Sequence, residues 1–248
     1  MVNVMAHRGA SGLALENSME AFVRAVEFGA DYVELDVRKC YTGELVVIHD
    51  SKVDRVTNGK GRVRNMSLSE IKKLVLLNGE KVLTLDEALD YMKGRCKVNI
   101  EIKSLEVDYE LADRMVGLLE NSGMMQDAVV SSFNHKMLAY LKHSRPELET
   151  AALFVRKKTP GVYLRRMYYV GTFIRKTKRM GSSAMNLPHQ FVTRRVVEHA
   201  ASHGLKVNAW TVNGDKVVRR VLDAGVDGII TDHPQKFSKK AEMPLISS

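Results

Sequence analysis

The sequence predicts a closed (β/α)8 barrel. Three observations carry this. The chain has 248 residues, the size of one large α/β domain. Short apolar runs rich in β-branched residues alternate with helical patterns. Once a hairpin-like excursion is set aside, there are eight such runs, each joined to the next by a helix. Periodicity alone does not show closure, so an open doubly wound sheet is the competing architecture.

The elements follow in order. Val2–Ala6 reads as the first strand, and Ser18 caps a helix whose apolar positions Ala21, Phe22, Ala25 and Val26 lie on one face. Asp31–Val37 is the second strand. Leu45–Ile48 comes only seven residues later (Arg38 to Glu44), whereas a parallel crossover needs about a dozen, so it should return antiparallel. Thr84 with Glu87 forms a capping box. The remaining strands are expected at Val98–Ile102, Ala128–Ser131, Thr150–Phe154, Ala184–Leu187, Lys206–Trp210 and Val226–Thr231. Residues 49–83 form an insertion longer than an ordinary loop, with a short helix after Ser67 or Ser69. The whole of 1–248 is expected to be a single domain.

Composition is that of a globular protein, with 45% hydrophobic and 27% charged residues. Cys40 and Cys96 form no CxxC pair, which leaves no zinc-ribbon or thioredoxin-like reading and suggests reduced thiols. Met1–Ala6 lacks the basic start and long apolar stretch of a signal peptide, and no apolar run approaches the roughly 18 residues of a membrane span. The expectation is a soluble, cytoplasmic protein. The net charge of +9 equals the nine Lys and Arg residues between Arg156 and Arg179, a stretch with no Asp or Glu. With the charge confined to one segment, nucleic-acid binding is not expected.

Polar residues gather at the C-terminal ends of the proposed strands, which converge on one pocket in a barrel. His7 and Arg8 end the first, and Glu34 and Asp36 the second. His49 and Asp50 end the excursion, and Glu101 and Lys103 the third strand. Ser131, Ser132 and Phe133 end the fourth, with Trp210 and Asn213 at the seventh. Glu34 and Asp36 are two apart and share a face, as do Glu101 and Lys103. Inward carboxylates cannot stay charged without compensation. Either a hard divalent cation, Mg2+ or Ca2+, or an ion network with Arg8, Arg38 or Lys103 would supply it. His7 and His49 are the groups that titrate near neutrality, as an acid–base pair or as structural residues. Arg8 and Lys103 suit a phosphate.

These residues fall in a recognisable series. His7-Arg8-Gly9-Ala10-Ser11-Gly12, Glu16-Asn17-Ser18, Glu34-Leu35-Asp36-Val37 and Val46-Val47-Ile48-His49-Asp50 closely resemble the glycerophosphodiester phosphodiesterase family. So do Asn99-Ile100-Glu101-Ile102-Lys103, Ser131-Ser132-Phe133, Asn208-Ala209-Trp210-Thr211-Val212-Asn213 and Gly225–Asp232. The resemblance spans residues 4–234. It implies a TIM barrel with its insertion after the second strand, and metal binding by Glu34, Asp36 and Glu101. It implies His7 and His49 as acid and base, Arg8 and Lys103 on the phosphate, and Phe133 and Trp210 lining the pocket. The substrate would be a small glycerophosphodiester, cleaved to glycerol 3-phosphate and an alcohol. The attacker would be water, or the neighbouring glycerol hydroxyl through a cyclic phosphate. The chain departs from the family in having Leu15 where proline is usual, Ser18 for threonine, and Thr42 for an acidic residue. A phospholipase D or sphingomyelinase D-like activity on the same barrel is the alternative. A non-enzymatic barrel binding an anionic surface is a third reading. The basic segment 156–179, interleaved with Tyr163, Tyr168, Tyr169, Phe173 and Ile174, would give weak contact with an anionic membrane, or would be an ordinary solvated helix.

Overall fold

The computed structural model describes residues 2–104, 106–154 and 166–238, with the side chains of 166–168 left aside. The expectations for 155–165, Tyr163 among them, and for Tyr168 therefore fall outside the described residues and side chains. Nine strands form: β1 (Asn3–Ala6), β2 (Tyr32–Lys39), β3 (Leu45–Val47), β4 (Lys97–Ile102), β5 (Ala128–Ser132), β6 (Glu149–Leu153), β7 (Ala184–Pro188), β8 (Lys206–Trp210) and β9 (Gly228–Thr231). Eight run parallel in the order β1-β9-β8-β7-β6-β5-β4-β2, and β1 pairs with β2 to close the barrel. The open-sheet alternative is thereby excluded. β3 pairs antiparallel with β2, as its short connection requires. The helices are α1 (Met19–Glu27), α2 (Leu68–Ile71), α3 (Leu85–Met92), α4 (Tyr109–Ser122), α5 (His135–Ser144), α6 (Arg166–Met180), α7 (Arg194–Ala201) and α8 (Asp215–Asp223). No described helix is long and apolar enough to cross a membrane.

The two-residue period of the strands divides their side chains between two environments. Val33, Leu35 and Val37 of β2 and Val98, Ile100 and Ile102 of β4 face outward, in the apolar layer shared with the helices. The alternate residues face the barrel axis. At one level these are small or apolar: Val129, Ala151 and Ala184, with Tyr32 against them. Other inward positions are polar, with Glu34, Asn99, Ser131, Asn186 and Asn208 all buried. Space there is tight. A Cβ on Gly228 would lie 2.4 Å from Oδ1 of Asn208, so glycine is what lets Asn208 enter the interior.

Two strands start later than their apolar runs suggest. Asp31 and Asp227 turn their carboxylates onto the amides of Val4 and Val207, each at 2.7 Å, and so cap a neighbouring strand instead of beginning their own. Helix starts follow local chemistry. Ser18 accepts from the Ala21 amide, and Thr84 with Glu87 and Ser67 with Glu70 form complete capping boxes. In α6, Val170 and Ile174 are buried, and the Phe173 ring stacks on Phe154 at 4.2 Å. Arg175, Lys176, Lys178 and Arg179 face outward, so the described part of the basic segment is an amphipathic barrel helix.

Between β3 and α3 the chain makes isolated bridges, Lys52 to Arg62 and Thr57 to Leu76 among them, a 3-10 turn at Val63–Asn65 and the single turn α2. What holds this insertion together is its own apolar cluster, which includes Val46, Ile48, Val53, Val56, Val63 and Ile71. Ile71 is 1% exposed. Ile71→Ala is expected to cost about 2–5 kcal/mol in chemical denaturation, as buried truncations do. Amide exchange should rise first within 49–83, before the barrel strands.

Candidate active site

β2 and β4 are neighbours in register, with Asp36 opposite Glu101 and Glu34 opposite Asn99. This pairing sets three carboxylates at one end of the barrel. Ligand atoms of Glu34, Asp36 and Glu101 all lie within 4.8 Å of one another. All three side chains are buried, Asp36 completely.

The positive charge around them is limited. Lys103 Nζ lies 2.6 Å from Glu101 and 3.1 Å from Asp36, and Arg8 Nε lies 3.1 Å from Asp36. These contacts are close in distance but misaligned: Asp36 Oδ1, Glu101 Oε1 and Arg8 Nε complete no hydrogen bond. Arg38 does not join the cluster, because it donates to the carbonyls of His49 and Lys103. Asn17 donates to Asp36 at 2.9 Å, and the Arg8 amide donates to Glu34 at 2.8 Å. Burial raises the Asp36 carboxyl, but Lys103, Arg8 and the Asn17 hydrogen bond outweigh it and hold Asp36 below the usual range. His7 and Lys103 favour the charged form of Glu34 but do not offset its burial. Burial, with Asp36 and Glu101 beside it, pushes it up to about 7, and burial likewise raises Glu101. The ion network is thus one cation short. Three clustered carboxylates, two carrying an oxygen without a completed hydrogen bond, fit an oxygen-liganded divalent cation.

Arg8 and Asn17 hold the left-handed backbone conformation, at φ 55° and 56°. A non-glycine residue there costs about 1–2 kcal/mol, and the hydrogen bonds to Glu34 and Asp36 explain why it is kept. Gly9 follows at φ 81°, and a Cβ there would come within 2.6 Å of the Ala21 backbone. The loop after β1 can therefore pack against α1 only with glycine at this position.

Each histidine is tied at Nδ1. His7 meets Asp232 at 2.6 Å, and His49 meets Asp50 at 2.6 Å. Asp232 also accepts from Ser11 at 3.0 Å and Asn213 at 2.5 Å. Asp50 accepts from Arg55, which clasps Glu16 with both terminal nitrogens, and Glu16 accepts from Arg8. Burial lowers the His7 imidazole, but Glu34 and Asp232 overcome this and the net shift is upward. His49 moves the other way, lowered by burial and by Lys103.

A cavity of about 190 Å³ opens between these groups. His7, Arg8, Glu34, His49, Glu101 and Lys103 line it, with Phe133 and Trp210. Asp36 is buried beside Glu101. Phe133 and Trp210 meet edge to face at 5.9 Å, and the Trp210 indole donates to the Asn186 carbonyl. Every sequence-derived candidate is therefore in or against one pocket. Two strand-end residues serve elsewhere: Ser132 donates to the Ile102 carbonyl, and Asn213 supports Asp232. The sequence reading gave no role to Asp232, Asp50, Glu16, Asn17 or Arg55. It also passed over Asn99 and Asn186, which line the cavity with Asn99 Oδ1 and Asn186 Nδ2 unpaired.

Comparison with known proteins agrees with this geometry. The profile of the glycerophosphoryl diester phosphodiesterase family matches residues 7–236. A glycerophosphodiester phosphodiesterase from Caldanaerobacter subterraneus subsp. tengcongensis is 35% identical over 241 residues, covering 94% of each chain. The crystal structure of one from Agrobacterium tumefaciens superposes with a TM-score of 0.80 at 29% identity, over 96% of this chain and 100% of that one. A phosphodiesterase from Oleispira antarctica, in complex with the product sn-glycerol-3-phosphate, gives 0.83 at 26% identity, over 97% and 96%. On the extent of these matches, the chain belongs to the glycerophosphoryl diester phosphodiesterase family.

Proposed function

We propose that the protein hydrolyses glycerophosphodiesters to glycerol 3-phosphate and an alcohol, with Glu34, Asp36 and Glu101 holding one divalent cation, Mg2+ or Ca2+. The observation that carries this reading is the uncompensated carboxylate cluster, with Glu34 pushed up to about 7 beside two histidines. When bound, the ion would supply positive charge to the non-bridging phosphate oxygens.

The protein's own groups do the rest. Arg8 and Lys103 line the cavity and would bind the phosphate. His49, lowered below its ordinary value, is suited to take a proton from the attacking oxygen. His7, raised above it, is suited to give one to the departing alcohol. Asp50 and Asp232 hold each imidazole by Nδ1 and leave Nε2 for proton transfer. The unpaired amide atoms of Asn99 and Asn186 suit glycerol hydroxyls. The attacker is water or the adjacent glycerol hydroxyl, and the same two histidines serve both routes. Contact between segment 156–179 and an anionic surface would rest, in its described part, on the outward cations of α6, because Phe173 is stacked on Phe154.

Turnover of glycerophosphoglycerol should be lost in EDTA and restored by Mg2+ or Ca2+; undiminished turnover after exhaustive chelation would refute the metal assignment. Binding should also show without turnover. At about 100 times its Kd, a ligand specific for the folded state adds about 2.7 kcal/mol. The ion should therefore raise Tm by several degrees, and Glu34→Gln should remove that rise. In the metal-free protein Glu34→Gln should be neutral or stabilising, because it removes a carboxylate already destabilised by its neighbours.

His7→Ala and His49→Ala should each lower kcat by roughly 10²-fold or more with Tm little changed. Near-normal kcat in either would make that histidine structural. The pH profile of kcat/KM should be bell-shaped, limited at low pH by protonation of His49 and at high pH by deprotonation of His7. Asp232 raises the His7 pKa, so Asp232→Asn should move the alkaline limb toward lower pH and leave the acid limb in place. Asp50 raises that of His49, so Asp50→Asn should move the acid limb toward lower pH. An Asp232 variant that changed only Tm would assign that residue to folding.

A further inference from the structure

The reacting cavity adjoins a larger cleft. The small cavity, about 190 Å³, has an apolar side at Leu153, Trp210 and Ile230. At Glu101, Lys103 and Phe133 it meets a cleft of about 620 Å³ between the β2–β3 hairpin, the insertion and the chain after β4. A diester has two arms. With the glycerol phosphate arm in the small cavity, a bulkier alcohol would extend into the cleft. The side chains there would then meet the leaving alcohol.

Their charges do not cancel. Arg38, Lys39, Arg62 and Arg64 line the cleft against Glu106 and Asp108. Lys39 and Asp108 neutralise each other at 2.9 Å, and Lys39 also reaches Glu110 at 2.8 Å. Arg38 binds two backbone carbonyls. None of Arg38, Arg62 and Arg64 forms an ion pair with a described carboxylate. Glu101, at the junction with the small cavity, lies 2.6 Å from Lys103, so among the described carboxylates lining the cleft Glu106 is left to face three guanidinium groups. Val63, between Arg62 and Arg64, is 1% exposed and anchored in the insertion's apolar cluster, which fixes both arginines at the cleft. Guanidinium forks match phosphate oxygens, whereas a quaternary or primary ammonium would meet like charge.

We propose that the cleft is a subsite for a leaving alcohol that carries its own negative charge, a phosphate monoester in particular, with Arg62 and Arg64 as specificity residues. This rests on the proposed glycerophosphodiester hydrolysis and names its preferred substrate class.

The test uses two soluble diesters that differ only by the terminal phosphate, glycerophosphoglycerol and its phosphomonoester, assayed with saturating Mg2+. The phosphorylated diester should have a kcat/KM about tenfold higher, mostly through KM, and the advantage should shrink between 50 and 500 mM NaCl because both arginines are exposed. In the double variant Arg62→Gln/Arg64→Gln the ratio should fall to about one, with kcat/KM for glycerophosphoglycerol unchanged. Equal kcat/KM for both diesters in the native enzyme would overturn the subsite and leave the hydrolytic reading standing. A preference that survives the double variant would overturn the role of these arginines. Turnover of neither diester would overturn the hydrolytic reading and the subsite with it.

Discussion

The site depends on one electrostatic problem: three carboxylates buried side by side at the end of a parallel barrel. β-Sheet register creates it, since Asp36 and Glu101 are cross-strand partners and Glu34 shares the face of Asp36. Each buried charge would cost several kcal/mol if left alone. The surrounding chain is arranged to reduce that cost incompletely. Asn17 and Arg8 adopt left-handed backbone to reach Asp36 and Glu34, and Lys103 lies between Asp36 and Glu101. The shortfall falls on Glu34, and a protein selected only for stability would have removed it with a glutamine.

The histidines show how two identical side chains acquire different proton affinities. Both are held by a carboxylate at 2.6 Å, so the hydrogen bond does not distinguish them. The further charges do: Glu34 acts on His7, and Lys103 on His49. Asp50 and Asp232 are held down to about 2, Asp50 chiefly by Arg55 and Asp232, against its burial, by His7, so both remain anionic supports. On the His49 side the support continues through Arg55 and Glu16 to Arg8, with charges alternating at each step. The proposed base and the arginine proposed to bind the phosphate thus share one network, and loss of Glu16 would disturb both.

The barrel could be read in the sequence because its two periods are simple. Strand residues alternate, helices follow a 3.6-residue stripe, and the seven-residue gap before Leu45 forces the antiparallel return that the structure contains. The strand-end rule found the site's chemistry because every barrel strand points its C-terminus at one pocket. The same rule extends to Asp232, one residue past β9, and the two-residue period extends to Asn99, two before Glu101. Those signals were present in the sequence. What no local pattern carries is the partnership of His7 with Asp232, 225 residues apart, which exists only once β1 lies beside β9. The link from Arg55 to Glu16 is of the same kind, since it depends on how an irregular insertion folds over the barrel mouth.

That insertion has few ladder bonds, so its apolar cluster has to fix its polar residues in place. Val53 and Val56 are buried on either side of Arg55, and Val63 is buried between Arg62 and Arg64. In both places an arginine is placed by the burial of valine neighbours, a non-directional force that works without regular secondary structure. Arg55 then braces Asp50 behind His49, and Arg62 and Arg64 border the cleft. One small hydrophobic core therefore supports both the proposed base and the charge that would meet the leaving alcohol. Loosening it should blur proton transfer and substrate choice together, while the barrel beneath, closed by its own strands and helices, keeps the three carboxylates in register.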